Sequence, residues 1–133
     1  MRSLIKRVAI VTLLLAACRV IDAKIHVQVI NRLKNGVRLN VHCRSKDDDI
    51  GFHVLEEGDS IEWSFHLNFG MTTLFYCDVQ WGDSYWHHFD AYDAGRDSYR
   101  CDSKCRWMIG GDKLLYGFNQ QSLFWEWFPL IKE

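Results

Sequence analysis

The chain has 133 residues, 48% hydrophobic and 14% aromatic, with a single proline and 16 basic against 17 acidic residues. That length suits one domain, and so much apolar material excludes a disordered chain. A formal net charge of −1 excludes a general attraction to nucleic acid or to anionic lipid.

The first 23 residues differ from the rest. Arg2, Lys6 and Arg7 precede an apolar run from Val8 to Ala17, and a cut after the small residue Ala23 fits best, with cuts after Ala17 or Cys18 left open. A basic start, a short apolar run and a small residue mark a secretory signal peptide. The run is well short of the ~20 residues a membrane span needs. The sequence therefore divides into a signal peptide, 1–23, and one exported domain, 24–133. The leader takes with it Arg2, Lys6, Arg7 and Arg19 against Asp22, which leaves 12 basic and 16 acidic residues, a net of −4. The only dense basic group left is Arg96, Arg100, Lys104 and Arg106.

From Lys24 onward the predicted elements are short strands. Ile25, Val27 and Val29 alternate with His26 and Gln28. Val37, Leu39, Val41 and Cys43 share a face in the next run, and Phe52 and Val54 mark a third. Ile61, Trp63, Phe65 and Leu67 oppose Glu62, Ser64 and His66. Phe75, Cys77, Val79 and Trp81 follow, then YWHHFDAY, then Cys105, Trp107 and Ile109, then KLLYGF. Alternation with period two in short runs is the pattern of half-buried strands. Lys34-Asn35-Gly36 reads as a hairpin-type turn, with further turns at Glu57-Gly58-Asp59, Gly82-Asp83-Ser84 and Gly110-Gly111-Asp112. The expected fold is all-β: a small antiparallel β-sandwich of seven or eight strands with two disulfides.

Cys18 leaves with the leader, and Cys43, Cys77, Cys101 and Cys105 remain. An even number of cysteines in a short exported chain reads as a disulfide framework. Cys43 and Cys77 fall on the apolar faces of their strands, so a bridge between them would tie core faces together. Cys101 and Cys105 would then close a small local loop. The two other connectivities stay open. No Asn-x-Ser/Thr sequon occurs.

Three groups invite a chemical reading. Asp47, Asp48 and Asp49 suggest a cation loop, but a calcium loop starting at Asp47 would need glycine where Phe52 stands and glutamate where Gly58 stands. The triplet suits a strand connector, because aspartates favour turns and charges keep an edge soluble. His87 and His88 are adjacent, so on a strand they point to opposite faces and cannot easily share a metal. His88 and Asp90 share a face and would make a base and its orienter, but no nucleophile motif accompanies them. The tail, Phe124, Trp125, Trp127 and Phe128, is an apolar patch unless it folds back over the sandwich.

Several blocks together are similar to the plant self-incompatibility S-protein homologues. They are His42 to Asp49, the Phe-x-Cys-x-x-x-Trp run from Phe75 to Trp81, His88-Phe89-Asp90, and Cys105-x-Trp107. The resemblance runs from about Lys24 to Phe118, and the tail from Gln120 extends past its usual end. It implies a small secreted β-sandwich with two disulfides that acts as an extracellular signal. Its founding members are pistil proteins that bind a pollen receptor. An acidic loop at Asp47 to Asp49 is routine there, which suits a structural or recognition role.

The resulting expectation is a secreted, extracellular, non-enzymatic ligand with a cell-surface protein receptor, no nucleic-acid partner, no cofactor and no metal. The expected receptor contacts lie in loops between strands: Asp47, Asp48 and Asp49; Asn68 and Phe69; Asp93, Arg96 and Asp97. Two other readings compete with it. One is a secreted hydrolase or metal-dependent enzyme using Asp47 to Asp49 with His53 or His88. The other is a defence module whose aromatic tail contacts membranes.

Overall fold

The structure is a computed structural model that describes residues 24–133; the expected signal peptide, 1–23, lies outside the described residues. Two five-stranded sheets face each other. The first runs β4 (Ser60–Phe65), β1 (Ile25–Asn31), β7 (Lys104–Ile109), β8 (Leu115–Asn119), β9 (Phe124–Phe128). The second runs β10 (Ile131–Lys132), β6 (His87–Asp93), β5 (Leu74–Trp81), β2 (Leu39–Arg44), β3 (Asp49–Leu55). A single helical stretch among the described residues, α1 (Ala94–Arg100), follows β6. None of the helices described is long and apolar enough to cross a membrane.

The sandwich has ten strands, not seven or eight. The two extra strands come from the tail. Leu123 turns the chain with a φ of 64°, and β9 then pairs antiparallel with β8, Trp125 opposite Phe118 and Trp127 opposite Tyr116. The aromatic run is thus an edge strand. Phe128 packs against the core, while Phe124 and Trp127 stay 72% and 60% exposed. Pairing is not wholly antiparallel either. β1 lies parallel to β7, with Val27 beside Cys105 and Val29 beside Trp107.

Inward rows follow the period-two pattern. Val29 stands between Ile61 and Trp107, and Val27 between Trp63 and Cys105. In the second sheet, Leu39, Val41 and Cys43 oppose Trp81, Val79 and Cys77. A register shift between Phe75 and Tyr76 lets Ala91 and Tyr92, although adjacent, both be buried. Phe52 and Val54 depart from expectation. On edge strand β3 they take the outer face, because Leu55, opposite Leu39, sets the inward parity. Trp86 lies 6.3 Å from Phe52, ring centre to ring centre, and partly covers it.

Two expected turns have the right chemistry and a different task. Asn35 and Gly36 both have positive φ, as that dipeptide allows. Yet they carry the chain from β1 in one sheet to β2 in the other, so they close no hairpin. Gly58, at φ 89°, does the same between β3 and β4. Asn31 secures both crossings. Fully buried, its amide donates to the carbonyls of Val37 and Leu55, and its oxygen accepts from the Leu33 amide.

The disulfides are Cys43–Cys77 and Cys101–Cys105. Cys43 and Cys77 are directly opposite on neighbouring strands, so this bridge staples one sheet and does not join the two. Cys101 caps α1, and its bridge fastens the helix end to the start of β7.

Closing a loop of this length constrains the unfolded chain by about 4 kcal/mol at Cys43–Cys77 and about 2 kcal/mol at Cys101–Cys105. Replacing both cysteines of a pair by alanine should therefore lower the urea midpoint more for the first pair than for the second.

Candidate functional site

At one end of the sandwich the β2–β3 turn and the β4–β5 loop stand side by side. They border an open cleft of about 710 Å³ lined by Asp47, Asp48, Phe65, Asn68, Thr72 and Tyr76, among others. The turn is tight: the Ser45 amide donates to the Asp48 carbonyl at 2.7 Å, and the Asp48 amide to Ser45 Oγ at 3.0 Å. Asp47 and Asp48 are left exposed. Asp49 is different. Its Oδ1 takes the Gly51 amide at 2.8 Å and lies 2.7 Å from His42 Nε2. The Gly51 amide and then the His42 contact hold its carboxyl below the usual aspartate range.

The facing loop is braced from within by Asn68. Its Oδ1 accepts the Thr72 amide, its Nδ2 donates to Thr72 Oγ1, and its own amide donates to Thr73 Oγ1. Around that brace the apolar side chains turn outward. Phe69 is fully exposed, and Leu67, Met71 and Leu74 are exposed as well. The expected contacts here thus divide: Phe69, Asp47 and Asp48 are presented, while Asn68 and Asp49 are engaged in shaping the backbone.

The third expected loop is not a loop. Asp93 is the N-cap of α1, accepting the Gly95 amide. Asp97 is completely buried and cannot touch a partner. It accepts from Arg96 Nε and Nη2 at 2.7 and 2.6 Å, from Arg100 Nε at 2.9 Å, and from the Asp93 amide at 2.8 Å. Arg96 also donates to the Asp90 carbonyl and lies over Trp107 and Phe128. The basic group read from sequence dissolves in the same way. Arg100 is buried on Trp107, Lys104 meets Glu62 at 3.6 Å, and Arg106 lies over Phe118 and Trp125. Burial lowers the Arg100 pKa against the pull of Asp97.

On the outer face of the second sheet, His87 and His88 diverge as expected. His87 stacks on Trp81, the rings 4.9 Å apart and 7° from parallel. His88 faces out: Nδ1 is 3.0 Å from Asp78 Oδ1 and 3.6 Å from Glu133 Oε1, and Nε2 is 3.5 Å from Asp90 Oδ1. Burial acts to raise Asp78, but hydrogen bonds with Glu133 and His88 and the charges of His88 and Arg44 outweigh it and lower the pKa. Glu133 is raised, first by its hydrogen bond to Asp78. Asp47 to Asp49 take no part in this group. His53 instead sits with Nε2 3.0 Å from the Ile50 carbonyl. The enzyme-like set of Asp47 to Asp49 with His53 or His88 is therefore not assembled. Asp78 and Glu133 were missed in the sequence. Asp78 was visible on the polar side of its run, but its register against His88, and the return of the tail to β6, were not.

A profile of the plant self-incompatibility protein S1 family matches residues 26–128. The Papaver rhoeas self-incompatibility protein S1 is 42% identical over 110 residues, 82% of this chain and 78% of the relative. The Arabidopsis thaliana S-protein homolog 24 is 39% identical over 97 residues, 70% of this chain and 63% of the relative. A solved structure of the self-incompatibility protein homologues, described as small, highly stable, secreted plant proteins, superposes with a TM-score of 0.60. It shares 18% identity and covers 80% of this chain and 96% of its own. The family match reaches Phe128, so β9 belongs to the shared domain and does not extend past it.

Asp97→Asn should destabilise the fold by about 3–5 kcal/mol in chemical denaturation, because two arginines lose their buried counter-charge. Asp49 predicts a pH effect. Its folded pKa lies below 3.8, so its stabilising contribution is present above that value and fades as pH falls through the folded pKa. Urea midpoints of Asp49→Asn should fall below wild type near about pH 6, with the gap closing near about pH 2.

Proposed function

The chain belongs to the plant self-incompatibility protein S1 family, a family of small secreted plant proteins, and on that premise we propose that it is an extracellular protein ligand. Its partner in this reading is a cell-surface receptor protein that grips the loop end of the sandwich. The observation that carries the reading is Phe69, fully exposed on a braced loop and flanked by Leu67, Met71 and Leu74. Such an apolar cluster in water is costly unless something covers it. Beside it stand the exposed carboxylates of Asp47 and Asp48, across one cleft. The complementary receptor surface is an apolar socket with a basic rim. A large side chain that fills a partner's pocket is the kind of anchor that carries most of an interface's binding energy.

Recognition without turnover is the mode proposed. The four cysteines are bridged, which leaves no thiol nucleophile among the described residues. The relatives carry the names of a self-incompatibility protein and of S-protein homologues, with no catalytic activity in those names. Rejection of self pollen, or another cell–cell signal, is the process this ligand would serve.

Labelled, disulfide-bonded protein applied to plant cells should bind saturably and elicit a rapid cellular response. Phe69→Ser should weaken binding about tenfold or more. Joint reversal of Asp47 and Asp48 to lysine should slow association and flatten its salt dependence. Phe124→Ser, on the far edge strand, should bind as wild type. Unchanged binding in both loop variants would refute the loop end as the contact surface.

A further inference from the structure

We propose that the outer face of the second sheet holds a site for one divalent transition-metal ion, with Asp78, His88 and Glu133 as its ligands. The inference does not rest on the receptor reading, since Asp78, His88 and Glu133 are not among the residues that line the loop cleft.

Placement is the first argument. Asp78 and His88 are register partners across β5 and β6. Ile131 stands opposite His88 on β10, and Glu133 lies two residues on, its amide donating to the Trp86 carbonyl at 3.0 Å. Two adjacent strands thus deliver one donor each, and the residue just past β10 delivers the third, its backbone held by the hydrogen bond to Trp86.

Distance is the second. One donor atom from each residue lies within 4.8 Å of the other two. His88 Nδ1 is 3.0 Å from Asp78 Oδ1 and 3.6 Å from Glu133 Oε1. Nitrogen and oxygen ligands at the usual ~2.0–2.2 Å from an ion stand about 3–3.5 Å from one another. The set needs little movement to close on an ion.

The surroundings are the third. Arg44 Nη2 occupies Asp78 Oδ2 at 3.1 Å and leaves Oδ1 turned toward His88. Asp90 backs the far ring nitrogen, Oδ1 standing 3.5 Å from Nε2. A carboxylate behind a ligating imidazole holds the proton on the outer nitrogen and frees the inner lone pair for metal. Asp78, Asp90 and Glu133 together outweigh Arg44, so the patch carries the charge a dication would offset.

Donor chemistry selects the ion class. One imidazole and two carboxylates, with no free thiol, suit Zn²⁺ or Mn²⁺ and not a soft monovalent ion. Three protein ligands leave coordination positions open to solvent.

The test is calorimetric titration of the chelator-treated, disulfide-bonded secreted chain with Zn²⁺ and, separately, Mn²⁺. One ion per chain should bind with at least one of the two metals. His88→Ala and Glu133→Gln should each lower affinity by at least about 100-fold, and Asp90→Asn by about 10–100-fold through the ring it orients. His42→Ala and His53→Ala should bind as wild type. The side chains of His42, His88 and Asp90 lie on the outer face of the sheet, and circular dichroism of each variant checks that the fold is kept. No saturable binding of either ion, or full binding by both His88→Ala and Glu133→Gln, would overturn the site and leave the group as surface ion pairs.

Discussion

The structure depends on where one indole sits. Trp107, on the middle strand of the first sheet, is completely buried, and its Nε1 donates to the Ala91 carbonyl of the second sheet at 2.7 Å. That bond ties the middle strand of the first sheet to β6 of the second. Every neighbour is shaped to the ring. Phe89 and Phe128 meet it at 5.3 and 4.9 Å, and the guanidinium of Arg100 lies 4.4 Å from its centre. Opposite it on β8 is Gly117, where a Cβ would come within 2.8 Å of the indole, 2.9 Å of Arg100 and 3.0 Å of Phe128. A side chain there has no room, so the glycine in an otherwise regular strand follows from the tryptophan beside it.

The polar core follows from the same ring. Arg96 and Arg100 cover Trp107 and Phe128, and Arg100, which is buried, needs a counter-charge. Asp97 supplies it and fixes the Asp93 amide at the start of α1. The short helix is therefore less an element of its own than the scaffold that brings one carboxylate under two guanidinium groups. Cys101 then ties its end to β7, the strand that carries Trp107. Helix, bridge, ion cluster and tail strand all converge on one place.

What the sequence disclosed, and what it hid, divides along this line. Alternation in Ile25 to Val29, Ile61 to Phe65 and Phe75 to Trp81 is a local signal, and those runs are strands. Pairing is not local. Nothing in residues 25–31 says that their neighbour is residues 104–109, or that the two run parallel. The Asn35-Gly36 dipeptide announces positive φ but not which sheet the chain enters next. Phe52 and Val54 mislead because an apolar edge strand looks the same whichever face is buried, and only the partner of Leu55 decides. Asp97 resembled an accessible loop residue because seven helical residues are too few to show a period. At the loop end, the exposure of Asp47, Asp48 and Phe69 follows from local turn chemistry, which a sequence carries.

The loop end gains from the rigidity beneath it. A flexible loop loses freedom on binding, at about 0.5–1.5 kcal/mol for each rotamer-rich side chain immobilised. Here Asn68 has already tied the backbone to Thr72 and Thr73, and the Thr73 carbonyl accepts the Ala94 amide at the start of α1. The loop bearing Phe69 is thus joined to the helix that supports the Trp107 cluster. Anchoring it there would remove part of the ordering cost of the binding proposed for this end. It also leaves the tips, Phe69 and the Asp47–Asp48 pair, outside every contact that holds the two sheets together. Surface identity can then change at those tips without disturbing the core, which is what the proposed recognition role would require.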